Sequence, residues 1–560
     1  MDQVSAKPWL AHYDPGVPHE VEVPPIPLWR FLEDAAQRYS HHIALEFLGK
    51  TLTYAELWEK SRRFAEGLKA LGVKPGDRVA IMLPNTPQFV IAFYGTLLAG
   101  GVGVNVNPLY TPRELRHQLK DSGAEILVIL DHLLPRFLEV EGETPVKRTV
   151  VTGIKDFLPF PKNLLYPLKA KRDKLPLGFP KREGFHAFLD LLKHPPATPH
   201  PADPEDLALL QYTGGTTGIS KGAMLTHRNL VANVLQIDAW DSTSKELLGK
   251  GVMLGALPFF HVYGMTVAMN YGIYSGYKIV LLPRPEIHAI VEAIEKHQVT
   301  HFPGVPTLYV AFNNFPGIEK RNVKSIRICL SGAAPLPVEV AKRFEEITGA
   351  RLIEGYGLSE ASPVTHSNPV QGEIKKGSIG MPLPSVDAKV VDEEGQEVPI
   401  GEVGELVVKG PNIMKGYWNR PEETQKALQD GWLFTGDMAR MDQDGYFYIV
   451  DRKKDMIIAG GYNIYPREVE EVLYQHEAVQ EAAVVGVPDP YRGETVAAFI
   501  VLKEGYKGKV TEKDIEAFCR QNLAAYKVPR IIQFRDSLPK TSVGKILRRE
   551  LREEFAKRQP

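Results

Sequence analysis

The sequence predicts an α/β protein with a large N-terminal part and a small, separate C-terminal unit. At 560 residues the chain is too long for one ordinary domain. Over most of the chain before Gly377, short apolar runs alternate with helix-like segments, which favours a largely parallel sheet covered on both faces. From Gly377, we predict short antiparallel strands at Ala388–Val391, Glu405–Val408 and Tyr446–Val450, separated by Asp, Glu and Gly turns. A further set of strand and helix patterns follows Asp455 and predicts the separate C-terminal unit.

Charge and cysteine usage narrow the class of protein. Lys plus Arg number 67 and Asp plus Glu 68, and no basic stripe with interleaved aromatic residues is present, so we expect no nucleic-acid partner. Cys329 and Cys519 lie far apart without metal-ligand spacing. The segment Met1–Pro25 lacks the apolar core of a signal peptide. These observations favour a reduced, cytoplasmic location.

The core elements are marked by their apolar periodicity. We predict a helix over Thr53–Leu71, a strand over Val79–Leu83, a buried helix over Gln88–Leu98 and a buried strand over Glu125–Leu130. The stretch Val79–Pro112 contains no charged residue. Its prolines and glycines favour soluble α/β core over a membrane-spanning helix.

The segment Gln211–Gly222 is the most distinctive stretch of the chain. It follows an apolar strand-like run ending at Leu210 and precedes an amphipathic segment for which Thr226 is the predicted N-cap. Glycines let backbone N–H groups turn toward an anion, hydroxyls add donors, and Lys221 adds a positive charge. The P-loop of mononucleotide-binding ATPases requires Gly before Lys, whereas Ser220 precedes Lys221 here. We therefore predict a polyphosphate-binding loop of another kind, against the alternative of an ordinary turn.

Further motifs follow in order along the chain. Taken singly, each has an ordinary explanation, such as a core histidine, a solvated turn or a basic tail. The motifs are Leu257–Met265 with His261 among aromatic residues, Ser331-Gly332-Ala333-Ala334-Pro335 after an apolar strand, Leu352-Ile353-Glu354-Gly355-Tyr356-Gly357-Leu358-Ser359-Glu360, Gly431–Asp437, Asp451-Arg452-Lys453-Lys454-Asp455 and Leu538–Arg549 with Pro539-Lys540-Thr541 and Gly544-Lys545.

In this order the motifs resemble those of the AMP-forming, acyl-adenylating enzymes, which include acyl-CoA synthetases, luciferases and peptide-synthetase adenylation domains. The resemblance covers roughly Leu28 to Phe555. It implies a large N-terminal adenylation domain at residues 1–453, with a small β-barrel-like part, and a small, mobile C-terminal α+β domain at residues 454–560. Gly214 stands where serine is frequent and Ser220 where proline is frequent. The run Tyr212–Gly218 is similar to the variant found in long-chain fatty acid–CoA ligases.

The resemblance implies a role for each motif. It nominates Lys545 as the lysine that bridges the carboxylate and the α-phosphate, with Glu360 and Thr213 as further catalytic residues and as ligands of Mg²⁺. ATP and AMP would contact Thr213, Gly214, Gly215, Thr216, Thr217, Gly218, Lys221, Gly332, Ala333, Ala334, Glu354, Gly355, Tyr356, Gly357, Ser359, Asp437, Arg452 and Lys545. The acyl pocket would be formed by His261, Val262, Tyr263, Gly264, Met265, Gly332 and Gly357. Coenzyme A would meet Gly460, Gly461 and Tyr462 after rotation of the C-terminal domain about a hinge at Lys454.

The implied reaction joins a fatty acid, ATP and coenzyme A. Attack of the carboxylate on the α-phosphorus gives acyl-AMP and pyrophosphate, and a thiol then displaces AMP. Positive charge and oriented donors are needed because an anion must approach a polyanion. A long-chain acid is expected from the overall resemblance and from the uncharged stretch Gly251–Tyr277. Medium-chain or aryl acids, transfer to a carrier protein, luciferase-like oxygenation and non-catalytic acyl binding are left open as alternatives, as is a homodimer.

The segment Phe157–Arg182 carries seven cations and one acid among apolar residues: Lys162, Lys169, Lys171, Arg172, Lys174, Lys181 and Arg182 against Asp173. A basic, apolar segment can lie at an anionic membrane surface. The alternative is a solvated surface excursion. The membrane-surface interpretation predicts a peripheral contact with the inner face of the membrane.

Overall fold

A computed structural model describes residues 7–213, 220–460, 462–523, 525–541 and 544–558. It confirms the predicted α/β class. The α-helices of these residues span Arg30–Arg38, Tyr54–Ala70, Pro87–Leu98, Pro112–Ser122, Leu134–Leu138, Lys162–Arg172, Phe188–Leu191, His227–Trp240, Ser244–Leu247, Tyr271–Tyr274, Ile287–His297, Pro306–Asn313, Val338–Thr348, Pro421–Ala427, Pro466–Tyr474, Glu512–Asn522 and Arg548–Arg558.

An eight-stranded sheet, here called the large sheet, forms the first layer. Its six parallel strands carry the alternation that the sequence predicted, and the helix Pro87–Leu98 is buried along its whole length. In spatial order the strands are Gly416–Tyr417, Lys221–Thr226, Leu207–Thr213, Val102–Asn105, Arg78–Met82, Ile126–Leu130, Arg148–Thr152 and Phe185–Ala187.

Two four-stranded sheets form the next layer. One is ordered Val252–Gly255, Lys278–Leu281, Ile43–Phe47 and Lys50–Thr53, and the other Ile328–Ser331, Arg351–Gly357, Val364–Ser367 and Met381–Pro382. His301 joins them, because it forms β-bridges to both Met253 and Ile328. Ser331 pairs in parallel with Glu354, so the small-residue motif and the Glu354–Glu360 motif leave their strands at the same edge.

The segment after Gly377 forms a five-stranded antiparallel sheet, which contains the three predicted strands and two further ones. The five strands are Asp387–Val391, Gly404–Lys409, Leu428–Gln429, Trp432–Met441 and Phe447–Arg452. The last five-stranded sheet belongs to the C-terminal part and comprises Ile457–Ala459, Tyr462–Ile464, Val479–Asp489, Gly493–Leu502 and Ile531–Phe534. This sheet has apolar clusters of its own on both faces, which agrees with a separate C-terminal unit. The exact boundary at 453/454 stays a prediction.

One local difference concerns the predicted phosphate loop. The sequence predicted a strand, the loop and then a helix at Thr226, whereas a second strand, Lys221–Thr226, lies between loop and helix. This strand pairs antiparallel with both Leu207–Thr213 and Gly416–Tyr417, and these two partners account for its formation. The strands on either side of the predicted loop therefore pair with each other as a β-hairpin. Thr226 still caps the helix, in a reciprocal capping box with Asn229.

Within the residues that the structure describes, no helix combines the length and the apolarity needed to cross a bilayer. The uncharged stretch Val79–Pro112 folds into a strand, a buried helix and a second strand, Val102–Asn105, as predicted.

Candidate active site

The predicted motifs converge on one cavity of about 880 Å³ between the N-terminal sheets and the C-terminal part. Its walls include most of the predicted nucleotide contacts. The predicted nucleotide contacts that line it are Thr213, Lys221, Ala333, Ala334, Glu354, Gly355, Tyr356, Gly357, Ser359, Asp437, Arg452 and Lys545. Glu360, Lys454 and His261, which were predicted for other roles, line it as well. The predictions for Gly214, Gly215, Thr216, Thr217 and Gly218 fall outside the described residues.

Tyr356 and Asp437 form one wall of the cavity. The Tyr356 hydroxyl donates a hydrogen bond to Asp437 Oδ2 (2.5 Å). Burial and the adjacent carboxylate hold the pKa of Tyr356 well above its ordinary value, so the hydroxyl keeps its proton. Burial also raises the pKa of Asp437, against the effect of Arg452, whose Nε lies 4.0 Å from Asp437 Oδ1. A carboxylate beside an aromatic ring suits a nucleoside, with its hydroxyls on the acid and its base against the ring.

Gly357 allows the strand to turn closely into the cavity. A Cβ atom at this position would lie 2.2 Å from the carbonyl oxygen of Pro363, so any side chain would force the backbone apart. Gly332 does not line the cavity directly, because a Cβ atom there would meet the Tyr263 ring at 3.1 Å. The small residues that border the cavity at this strand end are Ala333 and Ala334.

Thr213, Lys221 and Glu360 lie together at another end of the cavity. Thr213 and Lys221 are paired residues of the hairpin, and the Thr213 hydroxyl donates to the Lys221 carbonyl oxygen (3.4 Å). The Tyr417 hydroxyl donates to Glu360 Oε1 (2.7 Å), and Lys221 Nζ lies 4.5 Å from the centroid of the Tyr417 ring. A hydroxyl and an ammonium at the base of a glycine-rich loop can bind phosphate oxygens.

Lys545 reaches the same cavity from the C-terminal part. Its backbone N–H donates to Thr541 Oγ1 (3.1 Å), and its carbonyl oxygen accepts from the Thr541 N–H (2.7 Å). Gly544 precedes it at φ 78°, and a Cβ atom there would lie 2.4 Å from Thr307 Oγ1. The tight turn therefore places the lysine segment directly against the N-terminal part.

The segment after Pro258 contributes His261 and Phe260 to the cavity wall. Burial lowers the pKa of His261 to about 4, so the imidazole is neutral near pH 7. Val262, Tyr263 and Met265 are buried in the core behind it, and a Cβ atom on Gly264 would lie 2.4 Å from the Pro258 carbonyl oxygen. Of the predicted acyl-pocket residues in this segment, His261 alone lines the large cavity.

A second cavity, of about 70 Å³ and mainly apolar, lies behind the wall of the first. Leu330 marks the partition. A Cβ atom on Gly355, which lines the large cavity, would lie 2.6 Å from Leu330 Cδ1, and Leu330 lines the apolar cavity. Its other apolar walls come from Ile237, Trp240, Met253, Val267, Tyr271, Pro303, Ile328, Ile353, Val364, Val370 and Leu383.

Comparison with protein families shows to which family the chain belongs. The profile of the AMP-binding enzyme family matches residues 32–418, and that of the AMP-binding enzyme C-terminal domain matches residues 468–545. The chain belongs to the AMP-binding enzyme family.

Individual members of this family are similar over nearly the whole chain. A long-chain-fatty-acid–CoA ligase of Bacillus subtilis is 52% identical over 555 residues, which cover 98% of each chain. The crystal structure of ATP-bound MatB from Rhodopseudomonas palustris superposes with a TM-score of 0.83 at 31% identity, over 95% of this chain and 99% of that one. The anthranilate CoA ligase AuaEII in complex with anthranoyl-AMP gives 0.83 at 28% identity, over 96% and 99%.

The Mg²⁺ implied by resemblance to this family fits the residues at the phosphate end. Thr213 and Glu360 supply a hydroxyl and a carboxylate on the same cavity, and Mg²⁺ prefers oxygen ligands with few protein contacts. Among the described residues, no group of three or more His, Cys, Asp or Glu side chains could hold a metal by itself. The pair therefore suits an ion that takes its other ligands from phosphate oxygens and water.

The predicted coenzyme A residues lie away from the cavity. Tyr462 is 58% exposed and stacks on Tyr526 with ring centroids 4.6 Å apart, and Gly460 is exposed in the same hairpin. Gly461 is outside the described residues. Lys454, the predicted hinge, borders the large cavity. The expected rotation that would bring this hairpin to the cavity stays a prediction.

Several cavity residues were not found from the sequence. Thr435, Tyr417, Arg467 and Arg548 line the large cavity, and Leu330 lines the apolar one. Arg467 had a local signal, since it follows Pro466 and proline favours the first position of a helix. No feature of the sequence around Gly416-Tyr417 indicated that Tyr417 would line the cavity.

Proposed function

We propose that this chain is an AMP-forming long-chain fatty acid–CoA ligase. The observation that carries the proposal is one cavity that combines Thr213 and Lys221, Asp437 beside Tyr356, and Lys545, with an apolar cavity adjoining it. These groups suit a polyphosphate, a nucleoside, a reacting carboxylate and an alkyl chain, respectively.

In the first half-reaction, a carboxylate oxygen bonds to the α-phosphorus of ATP as the bond to the β-phosphate oxygen breaks. Lys221 and the loop above it would hold the departing pyrophosphate, and Lys545 would offset charge at the α-phosphate. Mg²⁺, when bound by Thr213 and Glu360, would supply charge neutralisation at phosphate oxygens. The acid needs no general base because it is already ionised near neutral pH.

In the second half-reaction, the coenzyme A sulfur bonds to the acyl carbon, the thiol loses its proton, and AMP leaves. The C-terminal unit would rotate about Lys454, withdraw Lys545 and present the hairpin that contains Gly460 and Tyr462. The structural similarity of this chain to ATP-bound MatB supports the present arrangement as the one used for adenylation.

The apolar cavity and the relatives support a long acyl chain. Leu330 lines this cavity and packs beside Gly355, which lines the large cavity, so movement of Leu330 would give an alkyl tail a path between the two. The relative with 52% identity is named a long-chain-fatty-acid–CoA ligase. The apolar cavity has a volume of about 70 Å³ in this structure, so side chains must move before a long acyl tail can enter it.

ATP–pyrophosphate exchange tests the proposal. We expect exchange that depends on palmitate and occurs without coenzyme A, and AMP release that then depends on coenzyme A. Release driven by an acyl carrier protein but not by coenzyme A would support a fatty acyl-AMP ligase instead. No acid-dependent exchange would contradict both.

We also propose that helix Lys162–Arg172 makes a peripheral contact with an anionic membrane. Phe160, Leu164, Leu165 and Leu168 are 57–78% exposed and recur at helical spacing. The cations Lys169, Lys171 and Arg172 are exposed on the last turn of the same helix. Exposed apolar side chains flanked by positive charge suit the boundary between lipid headgroups and acyl chains. Such a contact would place the enzyme where its water-insoluble substrate is concentrated.

A further inference from the structure

Tyr417 contacts both charged side chains at the phosphate end of the cavity. It is the second residue of the short strand Gly416–Tyr417 at the outer edge of the large sheet, where it pairs with Ala223. Its side chain is buried, with 8% exposure. One tyrosine thus links the hairpin that carries Lys221 to the turn that carries Glu360.

The two contacts use different parts of the tyrosine. The hydroxyl donates to Glu360 Oε1 at 2.7 Å, and the ring face lies 4.5 Å from Lys221 Nζ. A hydroxyl that donates to one carboxylate oxygen fixes the orientation of the carboxylate. An aromatic face attracts an ammonium but carries no net negative charge, so the lysine keeps its full charge for an anionic substrate.

The backbone around Tyr417 fixes its position relative to both partners. The Met414 N–H donates to the Glu360 carbonyl oxygen (2.8 Å), and the Trp418 N–H donates to the Gly222 carbonyl oxygen (2.8 Å). The Tyr417 N–H donates to Thr424 Oγ1 (2.9 Å). These bonds leave the ring little freedom to move away from Glu360 and Lys221.

A phenol hydroxyl both donates and accepts hydrogen bonds, whereas a carboxylate only accepts, so the Tyr417 hydroxyl is the donor in its bond to Glu360.

We propose that Tyr417 is a positioning residue that orients the Glu360 carboxylate and the Lys221 ammonium for the metal-bound β- and γ-phosphates of ATP. The inference deepens the proposed function, because it assumes that Glu360 and Lys221 meet the triphosphate. It assigns Tyr417 no contact with the acid or the nucleoside, so its effect should be confined to ligands that carry the β- and γ-phosphates.

The test compares Tyr417→Phe and Tyr417→Leu in the full-length chain, with Trp418→Phe as the matched control. Trp418 lies in the same segment, but its indole N–H donates to the Asp121 carbonyl oxygen and its ring faces Arg78. Calorimetry would measure binding of ATP and of AMP without acid, each over a Mg²⁺ titration, and thermal melting would report folding.

We expect Tyr417→Phe to weaken MgATP binding roughly threefold to tenfold, to raise the Mg²⁺ concentration for half-maximal binding, and to leave AMP binding and the melting temperature unchanged. Tyr417→Leu should weaken MgATP binding further, because the ring contact with Lys221 is also lost. Trp418→Phe should leave the Mg²⁺ dependence unchanged.

Equal weakening of ATP and AMP binding by Tyr417→Phe would overturn the proposal in favour of general loosening, and so would unchanged MgATP binding. If the unmodified protein forms no acyl-adenylate but shows the Tyr417-dependent binding of MgATP, the proposed function fails and the positioning role stands. If it forms acyl-adenylate while Tyr417→Phe binds MgATP normally, only the positioning role fails.

Discussion

Arg467 and Glu354 form a buried ion pair that joins the C-terminal unit to a strand that lines the large cavity. Arg467 Nη2 lies 3.4 Å from Glu354 Oε1, and its guanidinium also donates to the carbonyl oxygens of Ile449 and Gly377. Glu354 leads directly into the Gly355-Tyr356-Gly357 turn. The ion pair is therefore part of the arrangement in which Lys545 faces the cavity.

This pair predicts a pH dependence of stability. Burial raises the pKa of Glu354 to about 7, although Arg467 acts in the opposite direction. A raised carboxyl pKa means that its stabilising contribution is complete below the ordinary value, about 4.5, and is lost as pH rises through about 7. The side chain of Glu354→Gln does not ionise. Relative to this variant, the free energy of unfolding of the unmodified protein should fall by on the order of 1–3 kcal/mol between pH 4.5 and pH 7.5. Chemical denaturation of both proteins over this range measures it, and a constant difference would contradict the assignment.

Lys545→Ala should nearly abolish adenylation. The side chain is expected to act where negative charge builds at the α-phosphate, so its loss should slow acyl-adenylate formation by ~10²-fold or more. Lys540→Ala is the control, since the Lys540 ammonium pairs with Glu481 at 2.6 Å. Quenched-flow assays can follow each half-reaction. If Lys545→Ala formed acyl-adenylate normally but made thioester slowly from supplied adenylate, Lys545 would act in the second half-reaction and the assignment would be wrong.

Lys454→Pro should spare adenylation and damage thioester formation. Proline fixes φ near roughly −65° and should restrict the rotation expected between the two half-reactions. Lys454→Ala removes the same ammonium and leaves φ free, so it separates hinge stiffness from loss of charge. Equal loss in both half-reactions for the proline variant would place the hinge elsewhere or indicate local unfolding.

The strands and helices of the core could be predicted because their apolar patterns are local and can be read from neighbouring residues in the sequence. The strand Lys221–Thr226 was missed since it forms by pairing with two other strands, Leu207–Thr213 and Gly416–Tyr417, the second of which lies far along the chain. The residues predicted to bind the nucleotide came from compact motifs, and most of those that the structure describes line one cavity. Arg467 and Tyr417 were not, because their roles arise from the contact between separate elements. The stretch from Val262 to Met265 has the composition of a pocket wall, but core packing behind His261 accounts for it equally well.

Membrane binding should depend on helix Lys162–Arg172. Charge reversal of Lys169, Lys171 and Arg172 should reduce co-sedimentation with anionic vesicles and leave activity on a short, soluble acid unchanged. Added salt should weaken binding of the unmodified protein. Reversal of three exposed lysines elsewhere, Lys507, Lys509 and Lys513, provides a control of equal charge. Equal sedimentation of all variants would assign the helix to the solvated surface.

Leu330→Trp should shorten the preferred acid. The larger side chain would fill the apolar cavity behind Gly355, so long tails should lose activity while AMP binding is kept. Leu330→Met nearly preserves volume and should keep the chain-length profile. A tryptophan variant that melts at a lower temperature with an unshifted profile would show that the cavity is ordinary core.

Coenzyme A-dependent AMP formation, measured over acids from acetate to stearate, tests the central claim most directly. Each buried methylene contributes ~0.8 kcal/mol, so kcat/KM should rise by about threefold to fourfold per methylene and level off in the long-chain range. AMP and acyl-CoA should form in equal amounts. A maximum at acetate or at an aromatic acid, or AMP release at the same rate without coenzyme A, would contradict a long-chain fatty acid–CoA ligase.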